Sequence, residues 1–264
     1  MKTTLIIVLG VYGTWLLLLK LFEEKLIFPV FAMGDAPAAP TGVDRLIRPL
    51  GDGQSVEAFW LPQPGKAPLV LLFHGNGELI DYNLQDATAW YRRGFHVLVP
   101  EYRGYGRSGG QPGQQVILED NLWFLGEVMK DSRVRDQPLL YYGRSLGGGV
   151  ACDLARQKPP RGLILESTFR SIKAMALRYG APPFLIRNPF DNEAWLGQTE
   201  LPVLVIHGKR DEVIPFAHGE ALGKLGPRTE FHSFDAGHND LPRDSRYQAI
   251  LDKWLAGIFP GAAL

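Results

Sequence analysis

The sequence predicts an α/β domain with a mostly parallel, doubly wound sheet, preceded by one transmembrane helix. Short apolar, β-rich runs alternate with longer stretches that suit helices along most of the chain, and the first 19 residues hold a single charge, on Lys2. Consecutive β-α-β units build parallel sheets through right-handed crossovers, with helices on both faces. At 264 residues, 45% of them hydrophobic, the chain is long enough to bury a large core.

The amino-terminal segment is the first predicted element. Residues 3–19 carry no charged side chain, and as a helix these 17 residues cover roughly 26 Å, which is at the short end of what crosses a bilayer. Tyr12 and Trp15 are amphipathic, and Lys20 can extend to the far interface. We therefore predict a single-pass membrane anchor over residues 1–28, with its last part, residues 21–28, continuing the helix along the membrane surface. The large domain behind the anchor is expected on the non-cytoplasmic side.

Two other interpretations of this segment stay open. A cleaved signal peptide also begins with a basic residue and an apolar run, but the nearest A-x-A match, Ala36-Pro37-Ala38, lies far beyond the run and behind a charged patch. A buried core helix would have to be apolar on all sides at the end of the chain. The anchor fits the sequence better than either alternative.

The remaining elements follow in order. Residues 29–40 are rich in Pro and Ala and predict a linker, and residues 41–264 form the α/β domain. The predicted strands are Leu46–Leu50, Val56–Leu61, Leu69–Phe73, His96–Pro100, Leu139–Tyr142, Gly162–Leu165, Val203–Ile206 and Glu230–Phe234. The predicted helices are Asp81–Arg93, Gln115–Lys130, Leu146–Gln157, Phe216–Leu225 and Ser245–Leu255. Since no helix separates the first two strands, we expect an antiparallel hairpin at one edge of the sheet.

One interval departs from this alternation. Between Leu165 and Val203 the chain has helix-like pieces around a Pro-rich centre, Ala181-Pro182-Pro183-Phe184. The interval is too long for an ordinary connection and too short for a second domain. We predict a small cap insertion at about residues 169–200, over the carboxyl edge of the sheet.

Composition excludes several classes of function. Lys+Arg and Asp+Glu are equal at 28 each, so the chain has no positive excess for phosphate backbones, and no nucleic-acid partner is expected. Cys152 is the single cysteine, which excludes an intrachain disulfide framework and a cysteine-based zinc cluster.

The pattern Gly-x-Ser-x-Gly occurs twice, and its context separates the two copies. Ser108 is followed by Gly110-Gln111-Pro112-Gly113, which cannot begin a helix at once. Ser145 follows a predicted strand and precedes a predicted helix, as a nucleophile elbow requires. Its neighbours Gly143 and Gly147 leave room where strand and helix cross. We predict that Ser145 is a nucleophile and Ser108 a loop residue.

A serine nucleophile needs a base within hydrogen-bond reach and an acid that orients the base. Of the six histidines, His238 stands in a polar loop after the last predicted strand, at the sheet edge where open α/β proteins bind ligands. Asp211 lies after an earlier strand on the same edge, in the turn before a helix. Glu212 is the competing acid, and Asp211 is better placed. The predicted catalytic residues are therefore Ser145, Asp211 and His238.

The reaction also needs donors for the oxyanion of a tetrahedral intermediate. The backbone N–H of Leu146, directly after the nucleophile, is the first predicted donor. The second should come from the loop after the strand Leu69–Phe73, where Asn76 is the first choice and Gly77 the second.

Several segments together resemble one family. They are Phe73-His74-Gly75-Asn76, Glu101-Tyr102-Arg103-Gly104-Tyr105-Gly106-Arg107-Ser108, Gly143-Arg144-Ser145-Leu146-Gly147-Gly148, Glu166-Ser167-Thr168-Phe169, His207-Gly208-Lys209-Arg210-Asp211 and Gly237-His238. With these segments the chain resembles α/β-hydrolase-fold serine hydrolases, specifically the membrane-anchored BEM46-like (ABHD-type) group, over nearly its whole length. The resemblance implies an ester or thioester hydrolase that uses Ser145, Asp211 and His238 without a metal or organic cofactor.

The resemblance also implies that residues 102–108 and 166–169 are loop scaffolding. Thr168 departs from the family pattern, where a small residue or proline is expected, and we expect it to affect loop shape more than chemistry. The predicted function is a serine hydrolase of the carboxylesterase, lysophospholipase or acyl-thioesterase type. It would form an acyl-enzyme from acyl-lipid or other acylated substrates near a membrane. A serine peptidase of the same fold and a non-catalytic interaction protein are the alternatives.

Overall fold

One mostly parallel sheet organises the chain, of which the computed structural model describes residues 2–34 and 36–260. Its strands are β1 (Asp44–Gly51), β2 (Gln54–Leu61), β3 (Leu69–Phe73), β4 (His96–Pro100), β5 (Leu139–Arg144), β6 (Gly162–Glu166), β7 (Val203–Gly208) and β8 (Thr229–Phe234). They lie in the order β1-β2-β4-β3-β5-β6-β7-β8. β1 with β2 and β2 with β4 are antiparallel, and the pairs from β4 to β8 are parallel. The predicted α/β-hydrolase sheet and its edge hairpin are confirmed.

The described residues form eight α-helices, some of which cover the two faces of this sheet. They are α1 (Lys2–Ile27), α2 (Leu84–Arg92), α3 (Gln114–Val128), α4 (Leu146–Gln157), α5 (Ile172–Leu177), α6 (Asn192–Leu196), α7 (Phe216–Leu222) and α8 (Ser245–Ile258). The predicted helix Asp81–Arg93 is α2 preceded by a 3₁₀ turn at Ile80–Asn83. The other predicted helices agree with the structure to within a few residues at each end.

The central strand β3 shows why the apolar runs fold as covered strands. All five of its residues are buried. Leu69, Leu71 and Phe73 pack into the hydrophobic core on one face of the sheet, and Val70 and Leu72 pack into the core on the other. A strand buried on both faces needs apolar residues at every position, because successive side chains point to opposite sides.

The helix α1 joins an exposed apolar part to the core. Among the helices of the described residues, α1 is the one that is long and apolar enough to cross a membrane. Its most apolar 18-residue window has a mean hydropathy of 2.2 and is 0% buried. Its last turn is different, since Glu23, Ile27 and the following Phe28 are buried. Phe28 packs edge-on against Phe190 with 6.3 Å between ring centroids. The expectation that residues 21–28 run along the membrane surface is wrong for these side chains, because the helix turns its last apolar residues into the core.

The segment after α1 stays close to the domain. Val30, Met33 and Ala36 pack against the core cluster, and Arg107 donates a hydrogen bond to the carbonyl oxygen of Pro37 at 2.6 Å. The division into an anchor, a linker at 29–40 and a domain at 41–264 stays a prediction. Three parts of it, Met1, Asp35 and residues 261–264, lie outside the described residues.

The interval between β6 and β7 contains α5, a 3₁₀ turn at Pro183–Leu185 and α6. Ser171 and Asp191 cap the two helices, each accepting a hydrogen bond from a backbone N–H three residues on. Residues of α5 and of the 3₁₀ turn lie beside the end of α1, across a cavity. We call residues 167–202 the insertion.

Candidate active site

Ser145 lies in a sharp turn between β5 and α4. Its φ of 54° and ψ of −119° belong to a region that residues with a side chain rarely adopt. Two hydrogen bonds hold the turn. The Ser145 N–H donates to the carbonyl oxygen of Glu166 at 2.9 Å, and the Thr168 hydroxyl donates to the carbonyl oxygen of Ser145 at 2.7 Å. The strained turn therefore presents the Ser145 hydroxyl at the carboxyl edge of the sheet.

Two glycines allow the start of α4 to pack closely against the ends of β3 and β5. A Cβ atom on Gly147 would collide with the backbone carbonyl of Phe73 at the end of β3, and one on Gly143 at the end of β5 would collide with the backbone of Gly147. A side chain at either position would push the helix away from these strands. This is the geometric reason for the Gly-x-Ser-x-Gly spacing around Ser145.

The structure brings the three predicted catalytic side chains into hydrogen-bond contact. His238 Nε2 lies 3.0 Å from Ser145 Oγ, and His238 Nδ1 lies 2.8 Å from Asp211 Oδ2. Ser145 follows β5, Asp211 follows β7 and His238 follows β8, so the carboxyl ends of three parallel strands bring them together. In this arrangement the imidazole can take a proton from the hydroxyl while the carboxylate orients the ring.

The Asp211 carboxylate is surrounded by donors. Its Oδ1 accepts the backbone N–H groups of Val213 at 2.9 Å and Ile214 at 2.7 Å, and its Oδ2 lies 3.3 Å from Nε2 of the buried His207. Burial raises the pKa of Asp211, but hydrogen bonds from His207, His238 and Ile214 outweigh burial and hold the pKa well below its ordinary value. Asp211 is therefore ionised at neutral pH.

The competing acid and the competing serine lie apart from this set. Glu212 is exposed and makes none of the contacts that Asp211 makes. Ser108 is buried, and its Oγ accepts a hydrogen bond from the backbone N–H of Glu57 at 3.1 Å. Ser108 therefore ties its loop to β2.

The predicted oxyanion donors lie beside Ser145. Leu146 is the first residue of α4, so its N–H points out of the helix end without an intrahelical partner. Asn76 lines the same cavity as Ser145 and Leu146. Its carbonyl oxygen accepts the Tyr105 hydroxyl at 3.1 Å and its side chain donates to Ile27 at 3.3 Å. These contacts fix the loop. Gly77 lines only the neighbouring polar cavity, and the assignment of Asn76 as the second donor stays a prediction.

Two cavities meet at Ser145. The first, which we call the apolar cavity, has a volume of 490 Å³ and lies between α1 and the insertion. The second, the polar cavity, has a volume of 550 Å³ and extends past His238 on the other side. Charged side chains line it, among them Glu78, Arg144 and Arg243. A molecule seated at Ser145 would thus meet apolar walls on one side and charged groups on the other.

An ion pair between the buried Glu166 and the partly exposed Arg243 supports the elbow and was not found from the sequence. Arg243 donates to both oxygens of Glu166, at 2.7 and 2.8 Å, and the Tyr247 hydroxyl donates to the same carboxylate at 2.7 Å. Burial alone would raise the pKa of Glu166, but Arg243 and the hydroxyl donors hold it below its ordinary value. Since the Glu166 carbonyl oxygen also receives the Ser145 N–H, this pair anchors the strand end against which the elbow is built. Glu166 and Arg243 stand 77 positions apart, and no local pattern pairs them.

Comparisons with known proteins identify the family of this chain. The Hydrolase_4 family model, described as "Serine aminopeptidase, S33", matches residues 65–188. The protein Bem46 of Schizosaccharomyces pombe is 30% identical over 260 residues, covering 89% of this chain and 86% of Bem46. This chain belongs to the BEM46-like, ABHD-type family of α/β-hydrolases. The family membership that the sequence resemblance predicted is confirmed, and membership of this family makes the protein a hydrolase.

Other members and neighbours extend this picture. A zebrafish (Danio rerio) relative of this BEM46-like hydrolase, named lysophosphatidylserine lipase ABHD12, is 31% identical over 204 residues, which are 68% of this chain and 53% of that protein. The esterase Pf2001 of Pyrococcus furiosus superposes with a TM-score of 0.65 at 16% identity, covering 86% of this chain and 98% of the esterase. At that identity the esterase supports the α/β-hydrolase fold.

Proposed function

We propose that this BEM46-like hydrolase is a serine hydrolase that cleaves carboxylic ester or thioester bonds in acyl-lipid or other acylated substrates near a membrane. The observation that carries the proposal is the continuous line from Ser145 Oγ through His238 to Asp211, with contacts of 3.0 and 2.8 Å. A strained nucleophile elbow that aims the hydroxyl at the base adds support.

The first half of the proposed reaction forms an acyl-enzyme. Ser145 Oγ attacks the carbonyl carbon while His238 Nε2 takes the hydroxyl proton. The backbone N–H groups of Leu146 and Asn76 stabilise the oxyanion of the tetrahedral intermediate. The intermediate collapses with cleavage of the C–O or C–S bond, and His238 gives its proton to the departing alcohol or thiol.

The second half releases the acid. His238 takes a proton from a water molecule, whose oxygen attacks the acyl carbon on Ser145. The new intermediate expels Ser145 Oγ, which regains a proton from His238. Throughout both halves Asp211 stays ionised and holds the imidazole with Nδ1–H towards the carboxylate.

Three features support an acylated substrate near a membrane. The apolar cavity next to Ser145 suits a hydrocarbon chain, the exposed apolar part of α1 suits a bilayer anchor, and a relative is named a lipase. We propose that α1 spans the membrane once and that the domain lies on the non-cytoplasmic side. The description of the matching family model as a serine aminopeptidase favours the alternative of a serine peptidase.

Activity-based labelling of the full chain in detergent micelles tests the proposal, with a fluorophosphonate probe that reacts with activated serines. We expect wild type and Ser108→Ala to be labelled and Ser145→Ala to stay unlabelled. Ser108→Ala is the matched control because Ser108 sits in the other Gly-x-Ser-x-Gly sequence, outside the site. Hydrolysis of p-nitrophenyl butyrate should fall below about one thousandth of the wild-type rate in Ser145→Ala.

Two results would overturn the assignment. Labelling of Ser145→Ala, or hydrolysis by that variant at the wild-type rate, would show that another group is the nucleophile. A wild-type protein that is neither labelled nor active on esters would favour a non-catalytic interaction protein. Aminoacyl p-nitroanilides assayed beside the esters separate a peptidase from an esterase.

A further inference from the structure

The helix α1 and the insertion face each other across the apolar cavity. From α1, Trp15, Leu19, Glu23 and Leu26 line the cavity. Their spacing of four, four and three residues places them on one face of the helix. The opposite wall comes from the insertion, whose lining residues include Ile172, Met175, Ala176, Tyr179, Leu185 and Ile186. The inner end of the cavity reaches Ser145 and Leu146.

We propose that this cavity binds the acyl chain of the substrate, and that α1 is a wall of the binding site as well as a membrane anchor. The inference rests on the proposed ester hydrolysis and adds where the chain lies and which element encloses it. A chain in the cavity places its carbonyl carbon at Ser145, and the leaving group then points into the polar cavity, towards Arg144 and His238.

Specific contacts fix α1 against the insertion. Glu23 is 4% exposed, and its Oε1 accepts the backbone N–H groups of Arg187 at 2.7 Å and Asn188 at 2.9 Å. Its Oε2 pairs with the Arg187 guanidinium at 2.9 Å. A buried carboxylate is tolerated only when it is paired and hydrogen-bonded, so Glu23 sets the rotation of the helix about its axis. Both its oxygens are occupied, and the cavity wall remains apolar in character.

A second pair of contacts lies nearer the start of α1. The Trp15 indole N–H donates to the carbonyl oxygen of Tyr179 at 3.3 Å, and the Tyr12 hydroxyl donates to that of Gly180 at 3.2 Å. Together with Glu23 they bind the helix to the turn after α5 and to the segment after the 3₁₀ turn at Pro183–Leu185. The cavity wall is thus held along about three turns of α1.

The insertion carries large exposed apolar side chains. Leu177, Tyr179 and Phe184 are 58%, 59% and 82% exposed, and Tyr179 both lines the cavity and contacts Trp15 of α1. Large exposed apolar residues beside a membrane-spanning helix suit contact with lipid. The chain of a membrane lipid can therefore enter the cavity from the bilayer without crossing water.

The test is the dependence of hydrolysis on acyl length, measured with the full chain in detergent micelles. The full chain is needed because Ile27 and Phe28, at the end of α1, belong to the core. The readout is the ratio of kcat/KM for p-nitrophenyl laurate to that for the butyrate. Leu19→Trp fills the cavity from the α1 side, and Met175→Trp fills it from the insertion.

We expect the laurate-to-butyrate ratio to fall about tenfold in both variants, because the added indole occupies volume that the longer acyl chain needs. Leu18→Trp is the matched control. Leu18 is next to Leu19 on α1, is 43% exposed and does not line the cavity. The laurate-to-butyrate ratio of Leu18→Trp should therefore equal that of wild type. Fluorophosphonate labelling of each variant verifies an intact site.

The outcomes separate this inference from the proposed function. An unchanged ratio in both Leu19→Trp and Met175→Trp, in protein that still labels, would overturn the acyl site. An equal fall in Leu18→Trp would also overturn it, since the effect would then come from the membrane part of the helix. Wild-type protein that hydrolyses neither ester would instead refute the proposed function.

Discussion

The Thr168 hydroxyl donates a hydrogen bond to the carbonyl oxygen of Ser145 over 2.7 Å. Thr168 is buried and lies in the loop after β6, and Ser145 has a φ of 54°. The bond ties the strained elbow to the neighbouring strand end. The resemblance implies a small residue or proline at this position, and alanine, glycine and proline have no side-chain donor for this bond. The expectation that Thr168 affects loop shape more than chemistry does not include this contact with the nucleophile's own backbone.

Replacing Thr168 by Val keeps the shape of the side chain and removes the donor. We expect kcat for p-nitrophenyl butyrate to fall about fivefold, since one hydrogen bond contributes about 1 kcal/mol, with KM within twofold of wild type. Thr168→Ser should restore kcat. A rise in KM at constant kcat, or a Thr168→Ser variant as slow as Thr168→Val, would contradict a positioning role.

The two neighbouring acids should differ sharply. Asp211→Asn should lower kcat about 10⁴-fold, because the amide disfavours the imidazole tautomer that the carboxylate holds. Glu212→Gln is the matched control and should leave kcat within twofold, because Glu212 is exposed and outside the hydrogen-bonded line. Steady-state ester hydrolysis distinguishes them, and equal losses in both variants would count against Asp211 as the orienting acid.

Removing the charge of Arg243 should destabilise the whole fold. In Arg243→Met the buried Glu166 carboxylate loses its cation. Because the Arg243 side chain is 39% exposed, we expect a cost of about 1–3 kcal/mol, between the values for exposed and for fully buried pairs. The free energy of unfolding is measured by urea denaturation in micelles. Arg246→Met is the control. Arg246 donates to the backbone carbonyl of Ser233 and lies over the Phe234 ring, and it makes no ion pair with a buried carboxylate among the described residues. A loss below about 1 kcal/mol in Arg243→Met would show that the pair carries little of the stability.

Asp153 provides a pH-dependent test of stability. Burial raises its pKa from 3.8 to about 6, against a hydrogen bond from Gln114 and the nearby charge of Arg156. Since the folded pKa lies above the unfolded one, this group's contribution to stability is complete below about pH 4 and is lost as the pH rises through about 6.

The Asp153→Asn variant should therefore be more stable than wild type at pH 8, by at most about 3 kcal/mol, and equal to it near pH 4. The amide oxygen that this substitution introduces can still accept the hydrogen bond from the Gln114 side chain. The midpoint of thermal unfolding at the two pH values measures the difference. Asp235→Asn is the control, because the Asp235 side chain is 80% exposed, and its stability difference from wild type should be the same at both pH values. If the stability difference between Asp153→Asn and wild type were also the same at both pH values, this would argue against a buried carboxyl group with a raised pKa.

The fold was largely predictable because its signals are local. The run at β3 is apolar at every position, as burial on both faces requires, and the elbow at Ser145 is encoded by adjacent glycines. The order of elements then places the loops of Asp211 and His238 at the same edge. Family membership is established by comparison, whereas the catalytic roles stay predictions that the distances support.

The unpredicted features all depend on contacts between distant parts of the chain. Glu23 meets Arg187 across 164 positions, and its sequence context, between apolar residues and another glutamate, indicates only an amphipathic helix end. The Glu166–Arg243 pair and the hydroxyl contact of Thr168 have the same character. Burial and pairing decide the role of a charged residue, and the residues next to it in the sequence indicate neither.

The unbroken run of α1 from the exposed apolar part into the core has a mechanical consequence. With the helix in a bilayer, the reaction centre stands at a constant height above the lipid headgroups, set by a rise of about 1.5 Å per residue. The rate of hydrolysis would then depend on the surface concentration of substrate in that leaflet. Diluting the leaflet with inert lipid would lower the rate even when the total amount of substrate is unchanged.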